Sequence, residues 1–462
     1  MSLVREIAAL ALVGTAATAT AAPQADIKAN DSDAGIAIAR GTPVSLKISL
    51  TPDTLGNRTL DWWLVKYDGT DLSSWALNGT WASGLTPSYQ GAAMPIPLTQ
   101  VYLSSDLAVG SYTFFFGVDS LVNSGVDIDS LVYDSVAVNV YTGKSDVADG
   151  SPYVDIYDPA KACNGATLLA DLHNATSPRV IEVDMLGRVT WEYVWPSSLK
   201  GTTPVGPDVE PLANGNILLT ISGKGVYEIS RSGSIVWSLS DPKVSHDADR
   251  LANGNTLVVF GNNDTAEDAH VKEVDPSGKT VGSWSAKSVY YNDPYKNISD
   301  QGWSHTNAAT RLANGNTLVS LRNFDITAEI SPAGALVWSY DWGSLGVKGV
   351  DPHEPEIQSN DNLLVCLQNG SPYQAVEIRR STGEVVWQYS RVGLRTTRDC
   401  NRLANGNTLI LSVLTQGTSS TDDDESVILE VTPAGETVWQ LRLKNAPIGA
   451  STGVFYKAHR TC

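Results

Sequence analysis

The segment Leu312-Ala313-Asn314-Gly315-Asn316, which runs directly into the β-prone residues Thr317-Leu318-Val319, decides the fold of this 462-residue chain. Asn-Gly between two apolar runs is a strong signal for a β-hairpin, because both residues of a two-residue turn need positive φ. The motif recurs at residues 212–216, 251–255 and 403–407, with a degenerate copy at residues 359–362. The chain therefore contains a repeated hairpin.

A second repeated feature is a turn glycine followed by a tryptophan, in six copies at intervals of 45 to 56 residues. The pairs are Gly187 and Trp191, Gly233 and Trp237, Gly278 and Trp284, Gly334 and Trp338, Gly383 and Trp387, and Gly435 and Trp439. Each unit reads as four strands, and a period of this length is typical of propellers. We therefore predict a six-bladed β-propeller over residues 152–462, with the tryptophans in a structural role.

The rest of the chain is predicted to be β-structured as well, which makes the protein all-β. Residues 22–143 alternate short apolar segments with turn residues, the pattern of a small immunoglobulin-like β-sandwich. Residues 144–151 are predicted to be the linker. Residues 1–21 read as a signal peptide, which predicts a periplasmic or secreted protein; the alternative is a poorly ordered alanine-rich leader.

The C-terminal strand is predicted to close the ring, because the first repeat unit is irregular and the tail Gly453-Val454-Phe455-Tyr456 has no partner within its own unit. In that case Cys462 and Cys163 come close enough to bond. The pairing among these two, Cys366 and Cys400 cannot be deduced from the sequence.

Charge and composition exclude several classes of protein. The net charge of −18 disfavours nucleic acid and membrane surfaces as partners, and no apolar run reaches the roughly 18 residues of a membrane span. The sequence contains no CxxC motif or Cys/His cluster, which disfavours zinc, c-type haem and iron–sulfur sites. Asp119, Asn123, Asp127 and Asp129 resemble a degenerate calcium loop, for which a solvated acidic turn is the alternative.

The innermost strands of a propeller line its channel, so residues at one offset within the repeat form a ring. Seven residues before each turn asparagine the chain places Pro207, His246, Asn307, His353 and Arg398. His305 lies two residues before Asn307, on the same face of the strand. Three of the six histidines therefore fall in one zone.

A two-residue turn centred between Asn314 and Gly315 would place Arg322 directly opposite Asn307. The equivalent positions of two other units carry Gly261 and Gln368, so the arginine is specific to one blade. A cation beside several imidazoles predicts an anionic ligand. The alternatives are histidines that only cap or pack, and a three-histidine metal site, which a guanidinium at the same point would disfavour.

These residues resemble the bacterial arylsulfate sulfotransferase family, six-bladed propeller enzymes of the periplasm, over about residues 150–462. The matching motifs are Ser245-His246-Asp247, Ser304-His305-Thr306-Asn307, Arg322-Asn323 and Pro352-His353. The resemblance implies that His353 attacks a phenolic sulfate and carries the sulfuryl group. It also implies that His246, His305, Asn307 and Arg322 surround that group, and another histidine can donate the proton that the leaving phenolate needs.

The expected substrates are a small aromatic sulfate donor and a phenolic acceptor, with no cofactor, and Arg398 and Gln368 are expected to bind substrate. Two other functions remain open. The propeller could be an exported scaffold module that binds an anionic ligand without catalysis, or a quinoprotein dehydrogenase, whose blade motif resembles Ser381-Thr382-Gly383-Glu384-Val385-Val386-Trp387. The sequence also leaves a homo-oligomer open.

Overall fold

The structure is a computed structural model that describes residues 22–200, 206–370, 372, 374–415, 424–447 and 455–462. The predicted signal peptide, residues 1–21, lies outside the described residues. The chain forms two compact units, one containing the described residues up to Asp146 together with Tyr157–Lys161, the other containing Val147–Ile156 and the described residues from Ala162 onward.

The first unit consists of ten strands and short 3-10 turns. The strands are β1 (Gln24–Ala29), β2 (Ile36–Ala39), β3 (Val44–Thr51), β4 (Thr59–Tyr67), β5 (Leu72–Ala76), β6 (Thr80–Ser83), β7 (Tyr89–Ala92), β8 (Ile96–Ser104), β9 (Gly110–Asp119) and β10 (Leu131–Tyr141). The 3-10 turns are Asp53–Leu55, Ile128–Ser130 and Lys144–Asp146.

These strands form two sheets that share one apolar core. One sheet has the order β1-β3-β8, and the other has the order β2-β10-β9-β4-β5-β6, with β7 also paired to β4. Alternate residues of β3, such as Leu46 and Ile48, pack against Phe114 and Phe116 of β9. Period-2 alternation with one buried face is what the sequence predicted for this region. The result is a two-layer β-sandwich.

The second unit is also built from strands. They are β11 (Pro152–Tyr157), β12 (Ala166–Asp171), β13 (Arg179–Asp184), β14 (Val189–Val194), β15 (Asp208–Pro211), β16 (Ile217–Ile221), β17 (Gly225–Ile229), β18 (Ile235–Ser240), β19 (Ala248–Arg250), β20 (Thr256–Val259), β21 (Val271–Val274), β22 (Thr280–Trp284), β23 (Thr306–Arg311), β24 (Thr317–Leu321), β25 (Ile326–Ile330), β26 (Leu336–Asp341), β27 (Pro352–Ile357), β28 (Asn362–Leu367), β29 (Ala375–Arg379), β30 (Val385–Tyr389), β31 (Leu394–Arg402), β32 (Thr408–Leu414), β33 (Glu425–Val431), β34 (Thr437–Pro447) and β35 (Ala458–Thr461). The helical elements are α1 (Lys287–Tyr290) and the 3-10 turns Tyr295–Asn297, Arg322–Phe324 and Trp342–Leu345. The predicted all-β class is confirmed. None of the helices that the structure describes has the length and apolar character required to cross a membrane.

Within the described residues the strands of the second unit form six antiparallel sheets. Sheet 1 has the order β14-β13-β12-β35, and sheets 2 to 5 are β15–β18, β19–β22, β23–β26 and β27–β30. Sheet 6 has the order β11-β34-β33-β32-β31. In sheet 1 the C-terminal strand β35 occupies the place that the first strand of each unit takes elsewhere, and pairs Ala458 with Leu169.

The C-terminal strand that completes sheet 1 is not the one that the sequence predicted. Phe455 and Tyr456 precede β35 and belong to no strand, whereas Gly453 and Val454 lie outside the described residues. The Cys163–Cys462 disulfide, with 5.6 Å between the α-carbons, joins the end of β35 to the segment before β12. A second disulfide, Cys366–Cys400, links sheets 5 and 6.

The repeated hairpin has a three-residue loop rather than the predicted two-residue turn. Leu312 and Asn316 are the last hydrogen-bonded pair, the N–H of Gly315 donates to the carbonyl of Leu312, and only the glycine has positive φ, 86°. This is a type I turn followed by a glycine bulge. Asn314 instead accepts the N–H of Asn316 on its side chain and, with Asn316, donates to Glu329 of β25.

The repeated tryptophans tie neighbouring sheets together in order. Each indole N–H donates to a backbone carbonyl in the turn between the last two strands of the next sheet. The acceptors are Arg231 for Trp191, Pro276 for Trp237, Gly334 for Trp284, Arg380 for Trp338, Pro433 for Trp387 and Met185 for Trp439. The last of these contacts leads from sheet 6 back to sheet 1.

Candidate functional site

Three histidines meet on the second unit, where the chain enters the first strands of sheets 3, 4 and 5. His246 and His305 lie just before β19 and β23, and His353 lies in β27. All three are buried, with 6 %, 6 % and 3 % of their surface exposed. The ring centroids of His246 and His305 are 5.5 Å apart. These three residues are called the histidine cluster below.

Each histidine of the cluster uses Nδ1 to contact a backbone carbonyl oxygen. The distances are 2.9 Å from His246 to Gly206, 3.1 Å from His305 to Gln301 and 2.8 Å from His353 to Asp351. Because a carbonyl only accepts, each Nδ1 carries a proton, which leaves the lone pair on Nε2 in the neutral ring. Among the described residues no group hydrogen bonds to any of these Nε2 atoms.

Burial keeps the cluster neutral. It lowers the pKa of His246 and His353 well below the usual value, and the guanidinium of Arg398 lowers the pKa of both rings further. Burial, assisted by the charge of Arg322, lowers the pKa of His305 to about 4. The cluster therefore presents three unprotonated Nε2 atoms.

Asn307 and Arg322 both reach the cluster, but not as the direct cross-strand pair that the sequence predicted. The three-residue loop shifts the register so that Arg311 pairs with Thr317, and Asn307 lies in a bulge between Thr306 and Ala308. The amide of Asn307 donates to the carbonyl of Pro352 at 3.0 Å, and its buried Oδ1 has no partner. That carbonyl precedes His353, so Asn307 ties sheet 4 to the strand that carries His353.

Arg322 begins a 3-10 turn after β24, and its side chain is 11 % exposed. Its guanidinium lies 3.4 Å from a carboxylate oxygen of Asp351 and 3.6 Å from one of Asp300, and it donates to Asn323 at 3.1 Å. Burial raises the pKa of Asp351 to about 6. The charge of Arg322 is thus only loosely neutralised.

Arg398 and Gln368 contact each other. The Nε of Arg398 donates to Oε1 of Gln368 at 3.1 Å. Within the part of the chain that the structure describes, Arg398 forms no ion pair, and burial lowers its pKa. A buried guanidinium without a carboxylate partner favours an anionic ligand beside it.

Sequence reasoning missed two carboxylates that hold the loops of the cluster. Asp264 accepts the N–H groups of Ser304 and His305 and lies 3.1 Å from Nε2 of His270. Asp325 accepts three successive N–H groups from residues 349–351. Each lies eleven residues after its turn asparagine, Asn253 or Asn314. Counting from the turn asparagine, the approach that revealed the histidines, could therefore have revealed both carboxylates at this second offset.

Sequence reasoning also missed the role of Tyr456. The sequence predicts only that Tyr456 lies in a closing strand, yet its ring contacts His246 and His353. The only signal was an aromatic residue next to the closing segment, and nothing in the repeat predicts its position.

Three residues in or next to the cluster have a strained backbone. His305, Asp351 and Glu354 have positive φ values of 44°, 52° and 45°, in a region that non-glycine residues rarely adopt. Such conformations persist only where surrounding contacts enforce them, and they are frequent at functional sites.

The acidic loop of the first unit is hydrogen-bonded within itself. Both carboxylate oxygens of Asp119 accept protein donors, from Leu121, Asp127 and Ser130. Throughout the described residues no group of three or more His, Cys, Asp or Glu side chains is arranged to hold a metal ion.

Comparison with known families identifies the region that carries most of this site. A family model described as arylsulfotransferase (ASST) matches residues 154–343. This region is similar to the arylsulfotransferase family. The arylsulfotransferase match includes His246, His305, Asn307 and Arg322, and it ends before His353, Gln368 and Arg398.

Other comparisons are more distant. No curated protein matches the chain at a significant level. A Bacteroides caccae protein of unknown function is 18 % identical, with 64 % of this chain and 98 % of that chain covered and a TM-score of 0.47. A Staphylococcus aureus virginiamycin B lyase structure with quinupristin is 10 % identical (63 % and 99 % covered, TM-score 0.40), and BamB from Moraxella catarrhalis is 14 % identical (64 % and 91 % covered, TM-score 0.34). Similarity at this level assigns neither substrate nor activity.

Proposed function

We propose that the protein transfers a sulfuryl group from an aryl sulfate to a phenolic acceptor, with His353 as the residue that carries the group. The observation that supports this most is the state of His353: a buried, neutral imidazole with its Nε2 lone pair unengaged, near the guanidinium groups of Arg322 and Arg398. A neutral imidazole is a competent nucleophile, and two cations favour an anionic sulfate ester beside it.

In the first half of the reaction, Nε2 of His353 attacks the sulfur atom. The N–S bond forms while the bond between sulfur and the aryl oxygen breaks, and the electron pair leaves with the phenolate. The sulfo-imidazole ring carries positive charge, which the carbonyl of Asp351 stabilises through Nδ1–H. Arg322 and Arg398 stabilise the negative sulfuryl oxygens, with Asn307 and Gln368 as further polar neighbours.

In the second half, the oxygen of the phenolic acceptor attacks sulfur and the electron pair of the N–S bond returns to Nε2. The proton of the acceptor goes to the neutral Nε2 of His246 or His305. The three imidazoles are neutral. The proton donor expected from the sequence therefore forms when His246 or His305 takes up the proton of the acceptor, or when the negative charge of bound substrate raises the pKa of a nearby imidazole. Neither a nucleotide nor a metal enters either half.

The proposal extends to the architecture. We propose that the six sheets are blades of a closed six-bladed propeller over residues 152–462, preceded by an immunoglobulin-like sandwich (22–143), a linker (144–151) and a signal peptide (1–21) for export. The ordered tryptophan contacts, including the one from Trp439 back to Met185, support the ring. The oligomeric state is left to solution measurement.

The test is a rapidly quenched reaction of the full chain with a chromogenic aryl sulfate and no acceptor, followed by peptide mapping. We expect a sulfuryl adduct on His353, and phenol release that continues when a phenolic acceptor is added. His353→Ala should lose both the adduct and turnover while keeping the parent melting temperature within a few degrees. An adduct on another residue, or turnover by His353→Ala, contradicts the assignment. Anion binding without any turnover would favour the scaffold alternative.

A further inference from the structure

Tyr456 lies within the histidine cluster although it comes from the end of the chain. Its ring stacks on His246 with centroids 4.5 Å apart and an angle of 23° between the planes. It contacts His353 at 5.7 Å in an edge arrangement, and the guanidinium carbon of Arg398 lies 5.2 Å from its centroid. One buried ring therefore contacts two imidazoles and a guanidinium that has no ion pair among the described residues.

The residue after Tyr456 is anchored beside the same two histidines. Lys457 is 3 % exposed, and its Nζ lies 2.6 Å from Asp247 and 2.6 Å from Glu354. Asp247 directly follows His246, and Glu354 directly follows His353. The tail is held further by the pairing of β35 with β12 and by the Cys163–Cys462 disulfide. The position of Tyr456 is thus determined from both sides of the cluster.

The Tyr456 ring is closely packed, with no space for an added β-carbon at Gly206. A β-carbon at Gly206 would overlap both the His246 ring and the Tyr456 ring. Among the residues that the structure describes, the imidazole of His246 has one hydrogen bond, from Nδ1 to the Gly206 carbonyl, about which the ring can still turn. The guanidinium of Arg398 likewise has one, to Gln368. The Tyr456 ring supplies the second constraint on both groups.

We propose that Tyr456 is a positioning residue: its ring sets the direction of the His246 and His353 Nε2 atoms and holds the Arg398 guanidinium beside them. The kinetic consequences rest on the proposed sulfuryl transfer, whereas the structural consequences do not. Offset stacking and the attraction of a cation to a ring face both require an aromatic side chain. An aliphatic residue of similar size fills the space without fixing these directions.

The kinetic test compares Tyr456→Leu with Tyr456→Phe, which keeps the ring. A misplacement of about 1 Å can reduce the rate roughly 100-fold, so we expect kcat of Tyr456→Leu to fall by that order, with a smaller change in KM. Tyr456→Phe should recover most of the loss. The control is Tyr227→Leu, in the core between sheets 1 and 2, which should lower the melting temperature without lowering kcat.

The pH dependence of kcat/KM distinguishes a positioning role of Tyr456 from a general loss of stability. The groups that face His353 are Arg398, Arg322, His246, Tyr456 and the carbonyl of Asp351, and the guanidinium of Arg398 contributes to its lowered pKa. If Arg398 moves away in Tyr456→Leu, the pKa of His353 rises. The acidic limb of kcat/KM should then move to higher pH, a shift that Tyr227→Leu should not produce.

A further measurement does not depend on activity. It records the NMR resonances of the histidine rings in the full chain labelled at Cε1. Loss of the Tyr456 ring current should shift the His246 resonance in Tyr456→Leu, and Tyr456→Phe should retain the parent position. If the leucine variant does not fold, Tyr456→Met takes its place. Unchanged resonances and kcat in the aliphatic variant would overturn the proposal. Shifted resonances in a parent protein without turnover would support positioning and reject the sulfuryl transfer instead.

Discussion

At the scale of single residues, the hydrogen bond at Nδ1 decides what each imidazole of the cluster can do. Three backbone carbonyls impose the same tautomer on three histidines from different sheets, so every Nε2 has its lone pair available. A carboxylate in the place of these carbonyls would raise the pKa of the ring, whereas burial and the nearby guanidinium groups lower it. The site is therefore arranged for nucleophile and base chemistry around an anion.

Arg322 is the residue whose removal should separate charge stabilisation from folding. Arg322→Ala is expected to reduce kcat/KM about 10²–10³-fold, the range found when a single oxyanion donor is removed. The matched control is Arg188→Ala, whose side chain is 53 % exposed and pairs only with Asp184 on the surface. Steady-state kinetics with a chromogenic aryl sulfate and the melting temperature measure both variants. Equal loss of activity in the two variants would contradict a specific role for Arg322.

At the scale of elements, the loops that enter the first strands are held by carboxylates from the preceding sheet. Asp264 follows β20 and binds the segment before β23, and Asp325 follows β24 and binds the segment before β27. Each carboxylate satisfies successive backbone N–H groups that would otherwise lack partners in an irregular segment. The sheets therefore position each other's histidines through their loops.

Asp325→Asn tests this contact. An amide retains one acceptor oxygen and turns an NH₂ group toward a backbone N–H, so at least one of the three hydrogen bonds is lost. We expect a loss of about 1–3 kcal/mol in the free energy of unfolding and a fall in kcat of roughly tenfold or more, because the segment leads directly to His353.

The control for Asp325→Asn is Asp341→Asn in the same sheet. Asp341 accepts a backbone N–H from Gly343 at 2.8 Å and has no contact with the cluster. Asp341→Asn should lower the free energy of unfolding without lowering kcat. A similar fall in kcat for both variants, at temperatures well below melting, would show that Asp325 does not act through the loop of His353.

At the scale of the whole molecule, buried charges gather where the first strands of the sheets converge. Lys457 is surrounded by Asp208, Asp247 and Glu354, and the backbone N–H of Ala458 donates to Asp399. Burial, opposed in part by Lys457, raises the pKa of Asp208 to about 8 and that of Glu354 well above its usual value. The C-terminal segment thus provides both the strand that pairs with β12 and the cation at the centre of this group.

This group predicts how stability depends on pH. Between its unfolded pKa of about 3.8 and its folded pKa of about 8, Asp208 binds a proton only in the folded state. Stability from this group is therefore present at low pH and is lost as pH rises through 8. Below pH 6.5 the buried histidines act in the opposite direction, because the unfolded chain protonates near 6.5 while His305 and His459 have folded pKa values of about 4.

We therefore expect Asp208 to contribute a loss of roughly 1–2 kcal/mol of stability between pH 6.5 and 8.5. Thermal denaturation of the full chain at a series of pH values measures this change in stability. Asp208→Asn should flatten this fall, and it should also remove the contribution of Asp208 at lower pH, down to its unfolded pKa of about 3.8. A melting temperature that rises from pH 6.5 to 8.5 would contradict the assignment of the buried proton.

The sequence by itself determined the repeat, the four strands of each unit and the zone where the histidines meet. These follow from local chemistry: a glycine at the positive-φ position of most of the repeated turns, period-2 alternation, and a constant offset that places equivalent residues at equivalent points of successive sheets. His246, His305 and His353 could be grouped in this way although more than a hundred residues separate the first from the last.

The tertiary structure alone decided the details on which the chemistry depends. The bulge at Asn307, the imidazole tautomers, the disulfide pairing and the place of Tyr456 arise from contacts between residues far apart in the chain, which no local pattern encodes. Tyr456 and His246 are 210 positions apart, as are Lys457 and Asp247. Such contacts form only when the sheets assemble, because burial then leaves each polar group to find the partner that packing brings within reach.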